Sequence, residues 1–154
     1  MPHSIVIFGA SGDLTSRKLI PALFRLFVKG RLPDGSQIVG VSRSQFKHQQ
    51  WRDSLRATTA EFVSDLFTPE DWEKFSQRVY YHPGDIKEQA DFHALGEFLQ
   101  SIESGTGSGR VYYLSTMPQL YEVAIAGLGE AGLADDANGF RRVIIEKPFG
   151  TDLE

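Results

Sequence analysis

The sequence has 154 residues, 41% of them apolar, a net charge of -4 and no cysteine. That length supports one domain with a real hydrophobic core, and the charge argues against a broad basic face for nucleic acid. The missing cysteines exclude disulfides, thiolate metal sites and cysteine nucleophiles; no apolar run approaches the roughly 20 residues needed to span a bilayer, so a cytoplasmic protein without a membrane partner is expected.

Met1-Pro2-His3 leads directly into an apolar run, Ser4 to Phe8, without the charged and apolar regions of a signal peptide. This run lacks strict alternation, as a parallel strand covered on both faces should, and it is expected at the centre of a sheet. Gly9-Ala10-Ser11-Gly12-Asp13-Leu14 follows, then an amphipathic stretch from Thr15 to Lys29. Its apolar side carries Leu14, Leu19, Ile20, Leu23, Phe24 and Phe27. Pro21 removes a helical hydrogen bond, which predicts a bend or a late start to the regular helix. Gly30 and Pro33-Asp34-Gly35 end this segment, and Gln37 to Ser42 reads as a second strand with Arg43 at its carboxyl end.

Gln45 to Leu66 has a helical pattern with Phe46, Trp51, Leu55, Phe62 and Leu66 available for a buried face. Thr68-Pro69-Glu70-Asp71 starts another short helix: a hydroxyl cap, proline at the first helical position and acids in the first turn. Val79 to His82 is a brief strand, and Asp85 to Ile102 is helical, with Phe92, Leu95, Phe98, Leu99 and Ile102 facing the core. Ser104 to Gly109 is a small-residue loop before the strand Arg110 to Ser115. A helix from Pro118 to Leu133 and a strand from Arg142 to Glu146 complete the series, closed by Lys147-Pro148-Phe149-Gly150. Alternating strands and helices predict an α/β fold with a doubly wound, mostly parallel sheet of Rossmann type and right-handed crossovers, in a single domain.

Three glycine clusters compete as phosphate cradles. Gly127-Leu128-Gly129-Glu130-Ala131-Gly132 matches G-x-G-x-x-G literally, but no strand precedes it and its glycines are expected near the end of a helix. The Gly105 to Gly109 loop leads into a strand and has the wrong polarity. Gly9 to Leu14 fits the string less well but lies between a strand and a helix, where backbone N–H groups can face a pyrophosphate. A tight turn without a ligand is the bland alternative. At the end of the second strand, where an acid would suit the ribose hydroxyls of NAD, the chain has Ser42-Arg43-Ser44. A guanidinium flanked by hydroxyls suits a phosphate monoester, so NADP is preferred. Lys147 follows the carboxyl end of another strand, and Pro148 restricts it to an extended conformation. Taken alone, that element is also compatible with a plain surface turn.

Together these elements resemble the glucose-6-phosphate dehydrogenase family. Gly9 to Leu19 is similar to its opening G-A-S-G-D-L-A-x-x-K, with Thr15 in place of alanine. Val41-Ser42-Arg43-Ser44 is similar to its second-strand end, and Tyr113-Leu114-Ser115-Thr116-Met117-Pro118 with Tyr121 to its fourth-strand turn. Glu146-Lys147-Pro148-Phe149-Gly150 corresponds to its E-K-P-F-G. Met117 departs from the pattern, which commonly has proline there. The resemblance implies oxidation of glucose 6-phosphate to 6-phosphogluconolactone in the pentose phosphate pathway, with NADP as hydride acceptor. By the same analogy Gly9, Ser11, Gly12, Asp13 and Leu14 form the cofactor turn and Arg43 pairs with the 2′-phosphate, assisted by Lys18. Thr116 and Met117 contact the nicotinamide half, Lys147 is the catalytic and substrate-binding lysine, and Pro148 orients it beside the cofactor. No metal is expected.

The family's general base, a histidine in R-I-D-H-Y-L-G-K, comes after E-K-P-F-G, and no such motif occurs here. His3 precedes the first strand, His48 and His93 lie in helical patterns, and His82 ends a short strand; packing or surface roles suit all of them. The chain is therefore expected to be the amino-terminal NADP-binding domain, residues 1–154, of a longer enzyme whose second α+β domain it lacks. The whole enzyme would be a homo-oligomer and the chain alone inactive. Two rivals stay open, a non-catalytic NADP-sensing module and another NADP-dependent sugar oxidoreductase.

Overall fold

The computed structural model describes residues 3–9, 15–32, 36–43, 48–102, 109–114, 120–131 and 141–145. Five strands, β1 (His3–Phe8), β2 (Gln37–Ser42), β3 (Val79–Pro83), β4 (Gly109–Leu114) and β5 (Arg141–Ile145), form one sheet in the order β3-β2-β1-β4-β5. Every neighbouring pair is parallel. The apolar run at the start of the chain is therefore the central strand, as its pattern predicts. His3 corrects one detail: it is the first residue of β1, paired with Gly109, and does not precede the strand.

Helices α1 (Ile20–Val28), α2 (His48–Phe62) and α3 (Pro69–Ser76) precede β3 in the chain, and α4 (Gln89–Ile102) and α5 (Tyr121–Glu130) follow it. The pleat sorts the strands' side chains between two cores. Val6 and Phe8, Val39 and Val41, and Tyr112 and Leu114 pack with Phe92, Leu95, Leu99, Ala124 and Leu128 of α4 and α5. Ile7, Ile38, Val79 and Tyr81 pack with Ile20 and Phe24 of α1, Trp51 and Leu55 of α2, and Trp72 and Phe75 of α3. Both faces of the central strands are covered, which is the doubly wound arrangement.

The element boundaries show what local chemistry decides. Thr15–Leu19 forms a π-helical turn, and the regular helix begins at Ile20 with Pro21 in its first turn, where a missing N–H costs nothing. This is the late start predicted from Pro21. The far end closes as a Schellman motif: Gly30, at φ 71°, donates to Phe27 O, and Arg31 N–H donates to Leu26 O at 2.8 Å. Thr68 caps α3 as predicted, its hydroxyl accepting from Asp71 N–H at 3.1 Å.

Two helical expectations need correction. The helix expected from Asp85 starts instead at Gln89, because Asp85 N–H donates to Asp91 Oδ2 and Asp85 Oδ1 accepts from Lys87 N–H. These local bonds hold a turn over 85–88. Phe62, expected in the core, is 44% exposed, and Thr59 and Val63 take the buried positions beyond Leu55. The four-residue spacing of Trp51, Leu55 and Thr59 carries the buried stripe past Phe62, whose ring instead lies 5.9 Å from the Arg17 guanidinium.

Two of the histidines, His48 and His82, take packing roles. His48 Nδ1 accepts from Tyr81 N–H at 2.8 Å, and its ring contacts Tyr80 and Phe98; His82 also lies against Phe98, while His93 is exposed on α4. Burial, with the nearby Arg52 charge, holds the His48 pKa below its ordinary 6.5. Burial lowers that of His82 too, with Asp91 opposing the shift and His48 adding to it. A folded-state pKa below the unfolded value means that the unfolded chain binds the proton first, so stability falls as the pH drops through the window beneath 6.5. Urea unfolding at pH 7 and at pH 5 should therefore show the advantage of wild type over His48→Gln shrinking at the lower pH. A difference independent of pH would contradict this assignment.

Among the described residues no helix is long and apolar enough to cross a membrane.

Candidate functional site

The sheet register decides which chain segments can share a site. Phe8 is opposite both Val41 and Leu114, and Leu114 is opposite Ile145. The carboxyl ends of β1, β2, β4 and β5 thus form one edge, with adjacent strands roughly 4.8 Å apart. β1 is flanked by β2 on one side and β4 on the other, so the chain's crossovers reverse direction there. That is the topological switch point at which open α/β sheets bind ligands.

Gly9 is the first residue beyond β1. Its N–H donates to Val41 O at 2.9 Å and its φ is 85°, a conformation that side chains with a Cβ rarely adopt. This is a physical reason for glycine at the start of the turn. Ser11, Gly12, Asp13 and Leu14 lie outside the described residues. Lys18 is exposed on the π-helical turn that leads into α1. Arg43 is exposed immediately beyond β2, beside the end of β1. The position expected to carry an acid in a site for NAD therefore carries a cation.

Of the two hydroxyls expected to flank that cation, Ser42 is committed elsewhere. Its Oγ forms a short hydrogen bond with Tyr81 Oη across to β3, and Tyr81 Oη also lies within reach of Ser42 O. Burial raises the Tyr81 pKa, and the Ser42 hydrogen bond partly opposes that rise. Ser42 thus locks β2 to β3, and Arg43 supplies the charge at this strand end. Ser44, Thr116, Met117, Lys147 and Pro148 lie outside the described residues. In the chain, Thr116 and Met117 come soon after β4, and Lys147 and Pro148 soon after β5, two strands that end at the same edge.

The sequence reading missed one part of this edge. Gly84 N–H donates to Ser42 O at 2.8 Å, tying the turn after β3 to the end of β2. Gly84, Asp85 and Ile86 there line a concavity together with Phe8 and Val41. Pro83-Gly84-Asp85 after a strand was the available signal for a turn.

Residues 6–154 match the family model described as "Glucose-6-phosphate dehydrogenase, NAD binding domain". The chain belongs to this family. It is 38% identical over 160 residues to a glucose-6-phosphate 1-dehydrogenase of Chlamydia muridarum, covering 99% of this chain and 32% of that protein. A chloroplastic form from Arabidopsis thaliana is 39% identical over 154 residues, covering 98% of this chain and 26% of its own length. The solved glucose-6-phosphate 1-dehydrogenase of Mycobacterium avium superposes with a TM-score of 0.82 at 28% identity, covering 97% of this chain and 31% of that one. A glucose-6-phosphate dehydrogenase solved in complex with glucose-6-phosphate gives 0.80 at 30% identity, with the same coverage. The chain spans about a third of the length of the relatives it matches.

The literal G-x-G-x-x-G has a packing role. Gly127 and Gly129 lie inside α5, and a Cβ at Gly127 would overlap the Phe92 ring of α4. Gly127 is there to let the two helices approach.

Proposed function

We propose that this chain is the NADP-binding domain, residues 1–154, of a longer glucose-6-phosphate 1-dehydrogenase, and that it prefers NADP to NAD. The observation that carries the preference is Arg43 at the carboxyl end of β2, where its forked donors suit the 2′-phosphate. The fit to a dinucleotide rests further on the left-handed Gly9 at the start of the turn after β1. The turn from Gly9 through Ser11, Gly12, Asp13 and Leu14 holds the pyrophosphate, and Lys18 adds charge to the phosphate side. Thr116 and Met117 contact the nicotinamide half by their backbone. Lys147, oriented by Pro148, holds the sugar against the cofactor.

In the reaction proposed for the whole enzyme, the C1 hydroxyl of glucose 6-phosphate loses its proton to a base as the C1 hydride leaves, giving the lactone. NADP, when bound, supplies the hydride acceptor. The side chains assigned here bind and align, and the histidine base of R-I-D-H-Y-L-G-K is absent from this sequence. Two observations support a continuation of the polypeptide: the relatives are about three times as long, and Val143 and Ile144 of the outermost strand are 38% and 43% exposed. The purified chain, given glucose 6-phosphate and NADP, should show cofactor binding in a fluorescence titration and no NADPH production at 340 nm. Robust turnover would refute the division of labour.

A further inference from the structure

A second cavity lies at the opposite, amino-terminal edge of the sheet. It holds about 470 Å³ beside the starts of β2 and β3, and its described lining includes Ser36, Gln37, Lys74, Gln77 and Arg78. The six residues of β2 separate it from Arg43, a distance of roughly 20 Å along the strand, so it is not part of the cofactor edge.

Its chemistry is one-sided. Lys74 and Arg78 bring two cations, Gln77 can donate, and no carboxylate is among the described lining residues. Arg78 is held in place: its guanidinium lies 5.2 Å from the centre of the Phe27 ring and reaches toward Ser36 O at 3.5 Å. Lys74, exposed in the last turn of α3, makes no ion pair among the described residues. Behind the wall Ser36 is fully buried, and among the described residues neither its hydroxyl nor the buried Gln37 Oε1 has a hydrogen-bond partner, while Gln37 Nε2 donates to Ile102 O. Buried polar atoms left unpaired are uncommon in native proteins.

We propose that this cavity is a binding site for a small tetrahedral oxyanion, either free phosphate or the phosphoryl end of a small monoester. Lys74 and Arg78 neutralise the charge, and Arg78 offers the planar fork that matches two of the oxygens. The remaining volume accommodates the hydroxylated body of an ester.

The test is titration of the chain with inorganic phosphate, and separately with glycerol 3-phosphate, at constant ionic strength, following backbone amide resonances. Saturable shifts in the millimolar range are expected at Ser36, Gln37, Gln77 and Arg78. Lys74→Gln/Arg78→Gln should weaken them at least tenfold while leaving NADP affinity unchanged; Lys74→Gln alone, at an exposed position, should weaken them severalfold and serves if the double variant fails to fold. Tighter binding of the ester identifies the organic phosphate as the ligand, and equal or tighter binding of inorganic phosphate identifies the free anion. No saturation, an undiminished response in the variants, or shifts confined to Gly9 and Arg43 would overturn the proposal. The last result would leave the cofactor reading intact.

Discussion

Arg43→Ala is expected to weaken NADP binding by about 100-fold and to change NAD affinity by less than about threefold. A charge-assisted hydrogen bond contributes roughly 1.5–3 kcal/mol, and the upper end of that range corresponds to two decades in affinity. The discrimination arises because only NADP carries the 2′-phosphate. Arg43 is exposed, so the substitution should leave stability within about 0.5 kcal/mol of wild type. Arg43→Lys keeps the charge and loses the fork, and should fall between the two. Calorimetric titration with each dinucleotide measures all three proteins. Equal losses for NADP and NAD would remove Arg43 from the role of phosphate ligand.

The second large effect concerns the scaffold that presents this edge. Phe24 of α1 has no exposed surface, and its ring centroid lies 5.7 Å from that of Phe67, 5.7 Å from Trp72 and 5.4 Å from Phe75. This cluster fastens α1, the helix that follows β1 in the chain, to α3 and the turn before it. Phe24→Ala removes the central ring and leaves a cavity that three rigid aromatic neighbours cannot readily fill, for a cost of about 3–5 kcal/mol. Against a total stability on the order of 5–15 kcal/mol, that loss should be plain in urea unfolding as a lower midpoint at unchanged slope. NADP at about 100 times its dissociation constant should restore about 2.7 kcal/mol by linkage, provided that the folded variant still binds it. A loss below about 1 kcal/mol would mean that the cluster is not the anchor of α1.

The architecture was legible because burial on both faces leaves a direct trace in composition. Ser4 to Phe8 and Gln37 to Ser42 read as covered parallel strands, and they occupy the centre of the sheet. Pro21 and Thr68 were legible for local reasons, since a missing N–H and a capping hydroxyl act within one helical turn. Features that depend on distant residues were not. Nothing near Ser42 signals that its hydroxyl meets Tyr81, 39 residues on. The displaced start of α4 required knowing that Asp91 reaches back to Asp85 N–H. The amino-edge cavity joins Ser36 to Lys74 and Arg78, which only the pairing of β2 with β3 makes neighbours. In the candidate cofactor site, the described residues show a glycine in the left-handed region after β1 and an exposed cation after β2. Both features could be read from residue type because each depends on what one position can do.

The central claim is that NADP binds at the carboxyl edge of this sheet with its 2′-phosphate on Arg43. The most direct measurement is an amide-resonance titration of the chain with NADP and with NAD. Saturable shifts are predicted at Gly9, Arg43, Gly84, Asp85 and Ile86, with NADP binding at least tenfold tighter than NAD. Binding of equal strength, or NADP shifts confined to residues away from these strand ends, would contradict it.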